Sequence, residues 1–145
     1  MTDDVIVQFT GTEPRKMSAG AAAFDLTYQG ADYVTLMPLS HVTLMTGLRL
    51  ALPQGYEAQV RSRSGLAHRG GVFVLNQPWG TVDEDYRGEI GVILANIGPR
   101  AVYFAPGDRI AQLAIVPVVP AMMQRVDELP TTDRGDGGYG STGAR

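Results

Sequence analysis

Five stretches of the chain carry residues able to do acid–base or anion chemistry. Gly80-Thr81-Val82-Asp83-Glu84-Asp85-Tyr86-Arg87-Gly88-Glu89 sets three adjacent acids and a tyrosine between two glycines. Such a run commonly makes a solvated hairpin tip. Aimed at a water, its Asp83 carboxylate can orient and deprotonate a nucleophile, and Tyr86 can pack on a sugar or base face. Arg63-Ser64-Gly65-Leu66-Ala67 puts a guanidinium and a hydroxyl at the expected start of a short helix, either a plain capped turn or an oxyanion seat. In Gly107-Asp108-Arg109-Ile110-Ala111-Gln112-Leu113 the Gln112 amide interrupts an apolar run and must find partners, backbone groups or phosphate oxygens. Ala22-Ala23-Phe24-Asp25-Leu26 places a carboxylate in an apolar strand, where it can serve a salt bridge or stand near a metal, directly or through its water. From Thr131 onward the chain is small, polar and glycine-rich, with Arg134 and Tyr139 inside a regular glycine pattern. That tail is either a frayed end or a wrap that holds an anion through backbone N–H groups and covers a ring.

Short strands must position these residues. Glycine (18) and proline (9) punctuate the chain at short intervals, and Val, Ile, Leu, Thr and Tyr fill the segments between them, a pattern of many strands and tight turns. The strands expected are Val5–Phe9, Val42–Leu44, Gly47–Leu52, Tyr56–Arg61, Val72–Leu75, Glu89–Asn96, Ala101–Phe104, Arg109–Pro117 and Ala121–Val126. Tyr56, Ala58 and Val60 share one face of their segment while the other face is polar. The best helical stretch is Ser64–Arg69, with Ser64 as N-cap. The fold class is therefore all-β, a jelly-roll sandwich or barrel. One domain is expected over residues 1–130, with a flexible C-terminal arm over 131–145.

Composition removes several function classes. The absence of cysteine excludes disulfides, thiolate metal sites and a cysteine nucleophile. A net charge of −3 argues against broad nucleic-acid binding but not against one small anion in a local pocket. The run Ile110–Met123 is broken by Pro117 and Pro120, so no membrane span is expected. Met1-Thr2-Asp3-Asp4 has no apolar core of a signal peptide, and a cytoplasmic location is expected.

Taken in order, the five stretches resemble the motifs of the trimeric dUTPases, and the resemblance covers nearly the whole chain. Thr81–Glu89 and Arg134–Gly143 are its most specific parts. The resemblance implies hydrolysis of dUTP to dUMP and pyrophosphate, supplying dUMP for thymidylate synthesis and keeping uracil out of DNA. It implies a homotrimer whose three sites lie at subunit interfaces, with a third subunit's tail closing each. Asp83 would activate the water that attacks the α-phosphorus. Thr81, Val82 and Gly91 would frame uracil, with Asn76 helping to read it. Tyr86 would pack on the deoxyribose and leave no room for a 2′-hydroxyl. Arg63, Ser64, Gly65 and Gln112 would bind phosphates, Arg134 the γ-phosphate, and Tyr139 would cover the uracil ring. One Mg²⁺ would bridge the phosphates, with Asp25 acting through its water shell. Alternatives are a dCTP deaminase of the same fold and a non-catalytic interaction protein on this scaffold.

This sequence departs from the family pattern at four places. Ala23 stands where glycine is usual, which matters only if positive φ is required there. Ser62 stands where proline is common, which is expected to loosen the approach to the site. Tyr139 replaces phenylalanine and should still stack. Trp79 reads as an insertion between Asn76 and Asp83, so either Asn76 keeps its role while the loop bulges or Gln77 takes it. The first is favoured.

Overall fold

The computed structural model describes residues 4–76 and 80–138. Its elements are β1 (Gln8–Gly11), β2 (Phe24–Thr27), β3 (Val34–Leu36), β4 (Ser40–Met45), β5 (Leu48–Ala51), β6 (Tyr56–Arg61), α1 (Ser64–Gly70), β7 (Val72–Val74), β8 (Gly80–Val82), β9 (Gly91–Asn96), β10 (Val102–Phe104) and β11 (Arg109–Pro117). They form a four-stranded sheet in the order β2-β11-β6-β8, a three-stranded sheet β4-β9-β7, and the pairs β1-β5 and β3-β10. Every pairing is antiparallel.

The alternation read from the sequence aims one face of the core strands inward, while β1 stays exposed throughout. Ala58 and Val60 of β6, Val92 and Leu94 of β9, and Leu113 of β11 are buried with Leu26, Leu36, Leu44, Leu48, Phe104 and Ile110 in one core. Strand β11 is the sheet's central member, bonded to β2 on one side and β6 on the other. Its pairing with β2 slips between Arg109 and Ala111. Ile110 and Ala111 are consequently both buried, and simple alternation is lost there. Among the described residues no helix is long and apolar enough to cross a membrane.

Several strands run within a residue or two of expectation; the ends of the chain do not. The first strand begins at Gln8 rather than Val5. The segment Ala121–Val126 forms no strand: Met122 is 97% exposed and Met123 99%. A strand needs a partner for its backbone, and this segment has none among the described residues. The sheets end at Pro117, and the Val118 N–H donates to the Gly55 carbonyl at 2.8 Å as the last tie before an exposed arm. Strand β2 takes up Phe24–Leu26 of the strand expected around Asp25 and runs on to Thr27, whereas β3 and β8, of three residues each, were not expected.

Candidate active site

A cavity of about 190 Å³ lies beside β8, lined by Val60, Asn76, Gly80–Asp83, Tyr86 and Glu89–Gly91. It is smaller than the clefts of ~300 Å³ and upward that enclose whole ligands, so it suits one part of a larger molecule. Strand β6 supplies its floor, because Val60 pairs with Gly80 and Gln59 with Thr81. Asn76 closes one side: its Nδ2 donates to the Gly91 carbonyl at 3.2 Å, and its Oδ1 accepts from the Ile93 N–H at 2.6 Å. The amide thus continues the sheet onto β9, giving one N–H and one oxygen lone pair to this brace. Past β8 the chain turns, with the Tyr86 N–H donating to the Asp83 carbonyl at 3.1 Å. Asp83 and Tyr86 are both exposed on the cavity rim. Among the described residues the ionisable side chains of this lining are Asp83, Tyr86 and Glu89, with no arginine or lysine.

The cations sit elsewhere, around Asp25. This carboxylate is buried, its side chain only 6% exposed, and both oxygens are bonded. Arg109 Nη1 donates to Oδ2 at 3.0 Å and Gln112 Nε2 donates to Oδ1 at 3.3 Å. Asp25 and Gln112 face each other directly across β2 and β11, and Gln112 also faces Arg61 of β6. Arg63 joins the group by donating from Nη1 to the Arg109 carbonyl at 2.8 Å. The α1 start beside it differs from expectation. Arg63, not Ser64, is the N-cap, its backbone extended, and no side chain caps the helix. The Arg63 carbonyl accepts the Leu66 and Ala67 N–H groups, leaving the Ser64 and Gly65 amides ahead of the first intrahelical bonds. Those two amides and the Arg63 guanidinium form a set of donors suited to oxyanions.

The family model described as dUTPase matches residues 10–143. The chain belongs to the dUTPase family. Over 130 residues it is 53% identical to the deoxyuridine 5′-triphosphate nucleotidohydrolase of Anaeromyxobacter sp. (strain Fw109-5), covering 90% of this chain and 86% of that one. A Roseobacter denitrificans protein of the same name is 50% identical over 131 residues, with 90% and 86% covered. In three dimensions the chain is similar to a mutant dUTPase of Staphylococcus bacteriophage 80alpha with dUpNHpp: TM-score 0.81, 21% identity, 96% of this chain and 99% of that one covered. It is also similar to a mutant dUTPase of phage phi11 of S. aureus, where the coordination of a structural Mg(II) ion is described: TM-score 0.75, 21% identity, 85% and 97% covered. At such identity these two likenesses establish the fold, the dUTPase jelly roll.

Within that fold the expected residues fall into three groups. Asn76, Thr81, Val82, Asp83, Tyr86 and Gly91 share the cavity. Asp25, Arg63 and Gln112 meet through bonds to one another or to Arg109, with Ser64 and Gly65 next along the chain. Arg134 stands apart in the arm, where its Nε donates to the Gly137 carbonyl at 2.8 Å. Tyr139, Gln77 and Trp79 lie outside the described residues. Sequence reasoning passed over Arg109, the residue that links Asp25 to Arg63. Its signal was the lone arginine of a stretch already singled out for Gln112. Two departures from the dUTPase pattern also find their place. Ala23 is not among the residues of positive φ, so it needs no glycine. Ser62 does not loosen the approach: its Oγ accepts the Val74 N–H at 2.9 Å and ties the loop to β7.

Proposed function

We propose that this chain hydrolyses dUTP to dUMP and pyrophosphate, with Asp83 holding the water that attacks the α-phosphorus. The observation that carries this reading is the single cavity that gathers Asp83, Tyr86, Asn76 and the backbone of β8 and early β9. Fixed backbone donors and acceptors at Thr81, Val82 and Gly91 read the edge of uracil, and a brace such as Asn76 keeps them fixed. Tyr86 packs on the deoxyribose and blocks a 2′-hydroxyl. Phosphoanhydride hydrolysis asks mainly for in-line positioning and neutralised charge. Asp83 supplies the first by orienting the water and taking its proton.

Charge neutralisation has to come from outside the cavity. Its lining brings carboxylates and no cation, so it cannot hold a triphosphate unaided. Arg63, Ser64, Gly65 and Gln112 of a neighbouring copy supply phosphate donors in a homotrimer with shared sites. The tail 131–145, carried by the strap from Val119 onward, closes over the ligand with Arg134 on the γ-phosphate and Tyr139 on the ring. Among the described residues no cluster of three or more acidic or histidine side chains could hold a metal. This donor set suits Mg²⁺ that arrives on the phosphates and keeps its waters. When bound, Mg²⁺ spreads the phosphate charge. Both Asp25 oxygens are occupied by Arg109 and Gln112, so Asp25 meets the ion's water shell at most. A chain of this kind works in the cytoplasm, next to the deoxynucleotide pool it cleans.

The test is pyrophosphate release over all deoxy- and ribonucleoside triphosphates, with and without Mg²⁺. Magnesium-dependent release from dUTP alone is expected. Ammonia release from dCTP would replace this reading with a deaminase, and inertness toward every nucleotide would leave a binding protein.

A further inference from the structure

The wall of the cavity that bears Tyr86 is held by a turn more than forty residues earlier. Tyr86 itself is set by its contact with residues 88 and 89. Its ring lies against Gly88, where a Cβ would fall 2.2 Å from the hydroxyl oxygen and 2.3 Å from Cζ. Its hydroxyl donates to the Glu89 carbonyl at 3.2 Å. The ring therefore goes where the backbone of Gly88 and Glu89 goes.

That backbone is gripped by the turn Thr46-Gly47-Leu48 between β4 and β5. The Gly47 N–H donates to Glu89 Oε1 at 2.7 Å. Gly47 has φ 67°, a conformation that favours glycine. Thr46, only 1% exposed, donates from Oγ1 to the Ile90 carbonyl at 2.8 Å, and its N–H reaches the same carbonyl at 3.2 Å. The Ile90 N–H returns to the Leu48 carbonyl at 2.9 Å. Thr46 Oγ1 also accepts the Leu48 N–H at 3.3 Å, which fixes its rotamer within the turn. Four bonds thus bind residues 89 and 90, on the cavity lining, to one turn.

We propose that Glu89 and Thr46 are positioning residues for sugar selectivity: through Gly47 and Ile90 they hold the wall that aims Tyr86, and so set the preference for deoxyribose over ribose. The proposal rests on the reading of the cavity as a dUTP site. Rejecting one extra hydroxyl depends on steric clearance smaller than an atom. A wall that can retreat slightly no longer rejects it, even if the ring is still present. Thr46 lies outside the cavity lining, and the Glu89 carboxylate is engaged by the Gly47 N–H, so both act on the wall through the turn.

The experiment measures kcat/KM for dUTP and for UTP in the full chain and in Glu89→Ala, Glu89→Gln, Thr46→Val and Tyr86→Ala. The expected result is a dUTP-to-UTP ratio lowered by about tenfold in Glu89→Ala, which loses one half-buried hydrogen bond, and in Thr46→Val, which loses two buried ones. In Glu89→Gln the amide oxygen still accepts from Gly47, and the ratio should stay within about twofold of the parent. A merely structural role would lower activity or melting temperature and leave the ratio alone. A ratio unchanged in Glu89→Ala and Thr46→Val overturns the proposal, as does a Tyr86→Ala chain that discriminates like the parent. Should Glu89→Ala fail to fold, Thr46→Val and Glu89→Gln decide. A parent chain that releases no pyrophosphate from dUTP overturns both the proposal and the reading beneath it, and shows itself before any substitution is made.

Discussion

The cavity beside β8 and the cluster around Asp25 recognise in different ways. The cavity is built of backbone held by backbone and by short side chains: Asn76 bridges to Gly91 and Ile93, and Thr46 grips Ile90. The Asp25 cluster is built of long side chains that converge on one carboxylate. A base edge differs from its competitor by a donor or an acceptor, and only fixed dipoles can tell them apart. A phosphate chain is bulky and highly charged, so mobile guanidiniums suffice to hold it. On the proposed reading, the braced backbone meets the part of the ligand where chemical difference is small, and the long charged side chains meet the part that is unmistakable.

This contrast can be broken most directly at its junction, the carboxylate on the cavity rim. Asp83→Asn is expected to lower turnover by about a thousandfold or more, within the range of general-base loss. Binding of a non-hydrolysable dUTP analogue should persist by calorimetry. Near-normal turnover would remove Asp83 as the base. Deleting residues 131–145 should leave the far-ultraviolet spectrum of a β protein intact and slow hydrolysis by about a hundredfold, because an open site is poorly positioned and wet. Unchanged kinetics would leave the cavity and cluster sufficient without an arm.

A smaller effect separates the two regions themselves. Asp25→Ala leaves Gln112 and Arg109 without their shared acceptor, the first half-buried and the second 44% exposed. We expect about 1–3 kcal/mol less stability in urea and a raised KM for dUTP. Binding of deoxyuridine should be unaltered, and a matching loss there would show that the two regions act as one. Smallest of all, Ser62→Ala removes the tie to Val74 and should cost about 1 kcal/mol, with selectivity among the bases unmoved.

Legibility followed the range of the interaction. Strands such as Tyr56–Arg61 were readable because their apolar faces are local and periodic. The strand around Asp25 was readable too, but the partner of its carboxylate was not, because Arg109 lies more than eighty residues later. The apolar alternation of Ala121–Val126 looked like a strand, yet side-chain pattern cannot say whether a ladder partner exists. At the site, residue types gave Asp83, Tyr86, Arg63 and Gln112 as candidates, and the family resemblance gave them roles. The pairing of Gly47 with Glu89 and of Arg109 with Asp25 is made by the sheet, and no local signal carries it. Asn76 was read as a ligand group, while the fold spends most of its amide on the backbone.

The exposed arm carries Met122 and Met123 side by side, almost wholly in water. Thioethers so placed are open to peroxide, which converts them to sulfoxides and makes an apolar pair polar. A chain without a single thiol therefore still has a part open to oxidation, and it lies on the very segment that carries Arg134.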